Sequence, residues 1–134
     1  MMKKGWVFRR GDIYLADLGK PCGSEQGGVR VVVVLQNNLA NYYSPTITIA
    51  PLSSIKKKEE LPTHYLLKKA PGLKCPSMVM AEQLETRDKK CIIRYLGRVT
   101  TRQMIGIDEA VKAHLGYYIP ENSSKNRYTY YYIK

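Results

Sequence analysis

The sequence predicts an α+β fold that is mainly β, a partly open antiparallel barrel of short strands with a C-terminal helix. Two observations lead to this prediction. Apolar segments of strand length alternate with turns rich in glycine and proline as far as residue 84. A segment with helical periodicity then follows at residues 100–115. The chain of 134 residues has the length of one compact domain.

The strand predictions come from β-branched and alternating apolar residues between these turns. A polar, glycine-rich loop at residues 19–28 separates the first two strands, and a polar excursion occupies residues 37–45. The charged run at residues 55–61 has the composition of a solvated loop. The predicted strands are residues 13–18, 29–35, 46–52, 64–67 and 77–84.

The terminal helix has recognisable start and stop signals. Thr100 and Gln103 have the spacing of a capping box, and Gly116 can end the helix. Gly106 weakens the helix slightly. The apolar stripe consists of Met104, Ile107, Val111 and Leu115. These signals predict a domain at residues 9–116 and a tyrosine-rich basic extension at residues 117–134, which we expect to be a terminal strand or tail rather than a base-stacking surface.

The composition narrows the classes of protein. With 44% hydrophobic and 25% charged residues, the chain is expected to fold without metal or disulfide staples. The longest apolar run, residues 31–35, is too short to span a bilayer, and no signal peptide is apparent. Cys22, Cys75 and Cys91 form no Cys-x-x-Cys motif. We therefore expect a cytoplasmic protein with no membrane segment, no metal and no cofactor.

The charge balance is the first indication of function. The chain has 22 lysines and arginines against 11 acidic residues, a formal net charge of +11. Such a surplus attracts polyphosphate partners by counterion release. A basic protein without such a partner remains the alternative at this point.

Arg30 is the most informative charged residue. It follows Gly27 and Gly28 and enters an otherwise apolar strand. An arginine in such a place needs a carboxylate or an anionic ligand. An ion pair with Glu25 and a bound anion both satisfy that need, and both stay open.

Seven short segments resemble the MazF/PemK family of toxin ribonucleases. The longest are Arg-Gly-Asp-Ile-Tyr at residues 10–14, Gly-Ser-Glu-Gln-Gly-Gly-Val-Arg at residues 23–30 and Val-Val-Val-Leu-Gln-Asn at residues 32–37. The shorter ones are Ser-Pro-Thr at residues 44–46, Leu-Pro-Thr-His at residues 61–64, Glu-Gln-Leu at residues 82–84 and Asp-Lys at residues 88–89. The likeness extends over residues 9–116. It implies an SH3-like barrel of the CcdB/PemK type that forms a homodimer. It further implies a sequence-specific, metal-independent endoribonuclease, with single-stranded RNA as substrate and an acidic antitoxin as partner.

The resemblance also implies the roles of individual residues. In the family, in-line attack by the ribose 2′-hydroxyl leaves a 2′,3′-cyclic phosphate and a 5′-hydroxyl. A guanidinium at Arg30 offers fixed donors to the phosphorane, and the Ser53 hydroxyl can donate to a phosphate oxygen. An ordinary strand-end serine is the alternative for Ser53, and Ser54 lies beside it. The implied catalytic residues are Arg30, Ser53 and Glu25; the implied RNA-binding residues are Gln26, Asn37, Leu61, Glu82 and Gln83.

The chain departs from the family pattern in three places. Val31 follows Arg30 where the family usually has proline, Glu85 stands where the family often has arginine, and the extension after Gly116 has no family counterpart.

Three rival functions fit the sequence less well than the toxin ribonuclease. A CcdB-like gyrase poison depends on a C-terminal tryptophan, a pancreatic-type ribonuclease needs two histidines brought together, and a non-cleaving RNA-binding barrel needs neither Arg30 nor Ser53.

Overall fold

A computed structural model describes residues 2–23, 27–54 and 61–117 of the chain. The elements in this part of the chain follow one another in a mainly β order. They are β1 (Asp12–Asp17), β2 (Val29–Val34), α1 (Asn38–Tyr43), β3 (Thr46–Ser53), β4 (His64–Leu67), β5 (Ser77–Met80), a 3₁₀ helix (Ala81–Gln83), β6 (Glu85–Asp88), a second 3₁₀ helix (Lys89–Cys91), β7 (Ile92–Arg98) and α2 (Thr101–His114).

The seven strands form one antiparallel sheet that does not close. Their order is β4-β5-β3-β2-β1-β7, and β6 pairs with β3 beside this path. β3 therefore has β2 on one edge, while β6 and β5 share its other edge. This arrangement confirms the predicted mainly β, partly open antiparallel fold with a C-terminal helix. Among the described residues, no helix has the length and apolarity that crossing a membrane requires.

β2 is buried on both faces, as its apolar sequence predicts. Val32 and Val34 belong to a first core cluster, which the N-terminal residues Trp6 and Phe8 cover. Val33 belongs to a second core cluster on the opposite face, which α2 covers. The alternation of side chains along the strand separates the two clusters.

The predicted strand at residues 77–84 is too long. β5 ends at Met80, and the chain turns into the 3₁₀ helix, where Leu84 N donates to Ala81 O at 3.1 Å. The sequence prediction also missed α1, β6 and β7. β6 has the sequence Glu-Thr-Arg-Asp, which has no strand propensity of its own, and its pairing with β3 determines its conformation.

α2 begins with the predicted capping box. Gln103 N donates to the Thr100 hydroxyl at 3.1 Å, and Thr100 N donates to the Gln103 side chain at 2.8 Å. The predicted apolar stripe is wrong at its C-terminal end, since Leu115 is 54% exposed. Ile107 is fully buried as predicted, and Ala110 and Ala113 complete the buried face. Of the predicted extension, only Tyr117 lies within the described residues, where it is exposed, and the charged run before Leu61 lies outside them.

A buried carboxylate fastens the N-terminal segment to the sheet. Asp12 is 0% exposed and accepts hydrogen bonds from Arg9 N at 2.9 Å and from the Tyr14 hydroxyl at 2.7 Å. The Tyr14 hydroxyl in turn accepts one from Trp6 Nε1 at 2.8 Å. Arg98 Nε lies 3.5 Å from Asp12 Oδ1. Burial raises the pKa of Tyr14, so the phenol stays protonated and donates to the carboxylate.

Arg10 connects the start of β1 to both helices. Its guanidinium forms an ion pair with Asp108 of α2 and donates from Nε to Leu35 O at 3.0 Å. Its backbone N donates to the side chain of Asn38, the first residue of α1, at 2.7 Å. The Arg-Gly-Asp segment is therefore a structural junction.

We predict that Gly106→Ala destabilises the protein although alanine is the better helix former. A Cβ at position 106 would lie 2.0 Å from Cε1 of Tyr65. We expect an overpacking cost of about 1–3 kcal/mol in the free energy of unfolding, measured by urea titration. In a Tyr65→Ala background the ring is absent, and the same substitution should stabilise α2 by roughly 1 kcal/mol. An equal loss in both backgrounds would contradict the steric explanation.

Candidate functional site

Arg30 stands where the glycine-rich loop enters the sheet. It pairs with Ala16 of β1, and its Nε donates to Gly27 O at 3.1 Å. Gly27 has no room for a side chain, because a Cβ there would lie 2.5 Å from Cδ of Pro21. The close contact of Pro21 with Gly27 thus shapes the loop whose carbonyl orients the guanidinium. One of the five N–H donors of Arg30 is used in this bond.

Ser53 ends β3 on the strand next to Arg30. The paired part of β2 and β3 ends at Val32 and Pro51, and both strands continue two residues further, to Arg30 and Ser53. Side-chain alternation puts both residues on the face of Val32. The β2–β3 pairing ends two residues before them, so Arg30 and Ser53 lie at the same end of adjacent strands beyond the paired register. Ser53 is buried, and Ser54, which follows the end of β3, is exposed.

The predictions on Glu25 and Gln26 lie outside the described residues. The same holds for the alternative in which Glu25 forms an ion pair with Arg30. Val31, in the place of the family's proline, pairs with Leu15 of β1 and keeps the strand extended up to Arg30.

A second group of predicted residues meets at the paired ends of β4 and β5. Glu82 and Gln83 lie in the 3₁₀ helix that follows β5. Leu61 lies in the turn that leads into β4, where its carbonyl accepts from His64 N at 3.0 Å. The turn and the 3₁₀ helix are joined by a bond of 2.9 Å from Ala81 N to Thr63 O. This bond brings together residues 18 positions apart in the sequence.

The side chain of Glu82 is held by His64, which sequence reasoning did not assign to this site. His64 Nε2 and Glu82 Oε2 are 2.8 Å apart, and the His64 side chain is only 4% exposed. Burial would raise the pKa of Glu82, but the His64 hydrogen bond and charge outweigh it, so the pKa lies below its ordinary value. Within the described part of the chain, Glu82 Oε1 is buried without a hydrogen-bond partner.

β5 connects the Arg30–Ser53 strand ends to the group formed by Leu61, Glu82 and Gln83. Ser53 pairs with Met78 of β5, and the 3₁₀ helix with Glu82 begins three residues after Met78. Asn37 does not join them, since it follows the opposite end of β2 from Arg30. Its side chain caps α1 by accepting from Ala40 N at 2.9 Å.

The departure at residue 85 has a local compensation. Arg87 Nε lies 2.5 Å from Glu85 Oε1, and both side chains are about one-third exposed, at 32% and 29%. Two residues apart on a strand, they share one face of β6. The structure thus places an ion pair where the family often has a single arginine. Among the described residues, no three His, Cys, Asp or Glu side chains are grouped so that they could hold a metal ion.

Comparison with known proteins gives consistent matches. Residues 9–115 match the family of PemK-like, MazF-like toxins of type II toxin–antitoxin systems. The chain is 43% identical over 111 residues to the endoribonuclease MazF of Staphylococcus epidermidis, which covers 82% of this chain and 92% of the relative.

Solved structures share the fold. An endoribonuclease in complex with its cognate antitoxin, from a mycobacterial species, has 26% identity and a TM-score of 0.65 over 85% of this chain and 96% of that chain. MazF (Form-I) from Deinococcus radiodurans has 20% identity and a TM-score of 0.72 over 83% of this chain and 98% of that chain. The second likeness concerns the fold alone.

The His64–Glu82 pair predicts a pH-dependent stability. Because the pKa of Glu82 is lowered from 4.5, its stabilisation is complete above that value and is lost as the pH falls through the folded-state pKa. Glu82→Gln should lower the free energy of unfolding by about 1–3 kcal/mol at pH 6, and the loss should shrink toward pH 3. Glu109→Gln, which breaks an exposed pair with Lys112, is the control and should change stability by less than about 0.5 kcal/mol at either pH. A loss for Glu82→Gln that is the same at both pH values would contradict the ion pair.

Proposed function

Because this chain belongs to the PemK-like, MazF-like toxins of type II toxin–antitoxin systems, we propose that it is a sequence-specific endoribonuclease that cleaves single-stranded RNA without metal. The observation that carries this proposal is the placement of Arg30 and Ser53 on one face of adjacent strand ends. Two donors side by side at a barrel edge suit a phosphodiester group in an extended chain.

The proposed reaction uses the RNA's own nucleophile. The ribose 2′-hydroxyl attacks the adjacent phosphorus, the bond from phosphorus to the 5′-oxygen breaks, and a 2′,3′-cyclic phosphate and a 5′-hydroxyl result. Arg30 donates to the equatorial oxygens as negative charge develops, and Ser53 donates to one of them. An arginine stays protonated in proteins, so we assign acceptance of the 2′-hydroxyl proton to Glu25, and the leaving 5′-oxygen takes up a proton from water.

The second group of residues is proposed to contact bases. Single-stranded RNA is recognised through the edges of unstacked bases. Gln83 offers both donors and acceptors, the partly exposed side chain of Glu82 offers a carboxylate, and Leu61 offers an apolar contact. We also keep Gln26 and Asn37 as proposed RNA contacts. The Glu85–Arg87 pair lies on the strand that follows Gln83, where an RNA base would meet both a negative and a positive side chain. This predicts an RNA sequence preference that differs from that of relatives with arginine at the position of Glu85.

Two protein partners complete the proposal. The net charge of +11 favours an acidic antitoxin, and the mycobacterial relative was solved with its cognate antitoxin. We further propose a homodimer, in which the RNA groove runs along a two-fold interface.

The function is tested on a long, defined RNA. We expect cleavage at one short recurring sequence, products with 2′,3′-cyclic phosphate and 5′-hydroxyl ends, and an unchanged rate in EDTA. Product ends are identified by their response to phosphatase and kinase. Products with 5′-phosphate ends, or strong inhibition by the chelator, would contradict the mechanism.

The division of work between the two donors gives a mutational prediction. Arg30→Ala should lower the cleavage rate about 10²-fold or more, as the loss of an oxyanion donor does. Arg30→Lys should recover little, because a point charge does not reproduce the planar fork. Ser53→Ala should also be severe, whereas Ser53→Thr keeps the hydroxyl and most of the activity.

The control is Ser54→Ala, which removes the neighbouring, exposed hydroxyl and should leave the single-turnover rate unchanged. The double variant at Arg30 and Ser53 should be no slower than the worse single variant if the two act as one unit. A folded Arg30→Ala protein with full activity would refute the assignment.

A further inference from the structure

A pocket of about 290 Å³ lies between the N-terminal segment and the 3₁₀ helix Lys89–Cys91. Most of its lining precedes residue 9, where the family match begins, so the family likeness does not account for it. The lining residues are Met2, Lys3, Gly5, Trp6, Phe8, Lys89, Lys90 and Ile92.

One wall of the pocket is a fixed aromatic ring. The indole of Trp6 is anchored through Nε1 to the Tyr14 hydroxyl at 2.8 Å, and its ring centroid lies 5.2 Å from that of Tyr95. Trp6 is nevertheless only half-buried. A ring that is held in place and still partly exposed can stack on a planar ligand at little cost in side-chain entropy.

Lysines form the rest of the polar lining, which contains no carboxylate. Lys89 is held by its bond to Asn41 O at 2.5 Å, and its Nζ lies 5.4 Å from the centroid of the Phe8 ring. An ammonium group has three donors, of which that bond uses one. Lys3 and Lys90 are exposed at the rim. The pocket thus combines a stacking surface with a site for anionic groups.

The pocket lies close to Arg30 across the sheet. Ile92 pairs with Ala16, and Ala16 pairs with Arg30. Two strand spacings, about 10 Å, therefore separate the backbone of the pocket wall from that of the proposed catalytic arginine. An extended single strand that reaches Arg30 can reach the pocket with a neighbouring nucleotide.

We propose that this pocket is an additional nucleotide subsite, in which Trp6 stacks on a base of the RNA and the three lysines hold the phosphates beside it. The subsite rests on the proposed ribonuclease function and extends its substrate contacts to Lys3 and Trp6, which precede the residues that the family match includes. An acidic peptide would use the lysines but would leave the indole without a planar partner. The combination therefore favours RNA.

Trp6 is the only tryptophan of the chain, so its fluorescence reports on the pocket directly. We expect oligoadenylate and oligouridylate to quench it saturably, because bases stack on the indole. Inorganic phosphate and an oligoglutamate peptide should leave it unchanged. Saturable changes with phosphate or the peptide alone, and none with RNA, would overturn the proposal in favour of an anion site or an acidic protein partner.

Charge-removing variants separate the pocket from the rest of the basic surface. Lys3→Gln with Lys90→Gln should lower the RNA affinity roughly ten-fold at about 0.1 M salt and reduce the slope of log K against log salt by about 1.4. The matched control, Lys68→Gln with Lys69→Gln, removes two exposed charges after β4, at the other end of the strand order, and should keep the slope and the quenching. Equal losses in both double variants would overturn the proposal.

The two proposals fail in different ways. Arg30→Ala should lower the cleavage rate about 10²-fold or more and keep the quenching, since the pocket does not require the reaction. RNA that is cleaved normally without any change in Trp6 fluorescence would overturn the subsite and leave the ribonuclease standing. Quenching by RNA in a wild-type protein that cleaves no RNA would support the subsite and refute the proposed function.

Discussion

The buried carboxylate of Asp12 is the constraint on which the rest of this structure depends. A charge with no exposed surface in an apolar interior is tolerated only when donors surround it. Arg9 N before β1 and the Tyr14 hydroxyl within it donate to Oδ2, and Arg98 at the end of β7 places its guanidinium 3.5 Å from Oδ1 as an ion-pair partner. The same network holds Trp6 through the Tyr14 hydroxyl. It therefore joins β1 to β7 and at the same time places the N-terminal segment over the first core cluster.

β3 distributes the functional groups around this frame. The first half of β3 pairs with β6, and its end pairs with β5. β3 therefore carries the Ser53 hydroxyl and lies beside the strand that leads into the 3₁₀ helix with Glu82. Arg30 reaches the same edge from β2, its direction set by the Gly27 carbonyl. The proposed chemistry thus depends on residues at the ends of strands, because the sheet still fixes their positions there.

The sequence predicted part of the candidate site for a physical reason. Arg30 is conspicuous because a charge that enters an apolar strand needs a partner, and Ser53 is marked only by the family resemblance. His64 lies in a segment that resembles the family, but nothing in the sequence indicated its contact with Glu82, which is 18 residues away and meets it only when β4 pairs with β5. The cap formed by Asn37 was hidden in the same way, because the prediction missed α1.

The sequence by itself determined the mainly β class, the central strand β2 and the capped helix α2, because apolar periodicity and capping act over a few neighbouring residues. Only the tertiary structure decided β6, since its charged sequence becomes a strand through its hydrogen bonds to β3. Gly106 shows the same division. It weakens α2 locally, yet the ring of Tyr65 occupies the space of a side chain at that position. Long-range contacts of this kind have no trace in local sequence, because they depend on which segments the folded sheet brings together.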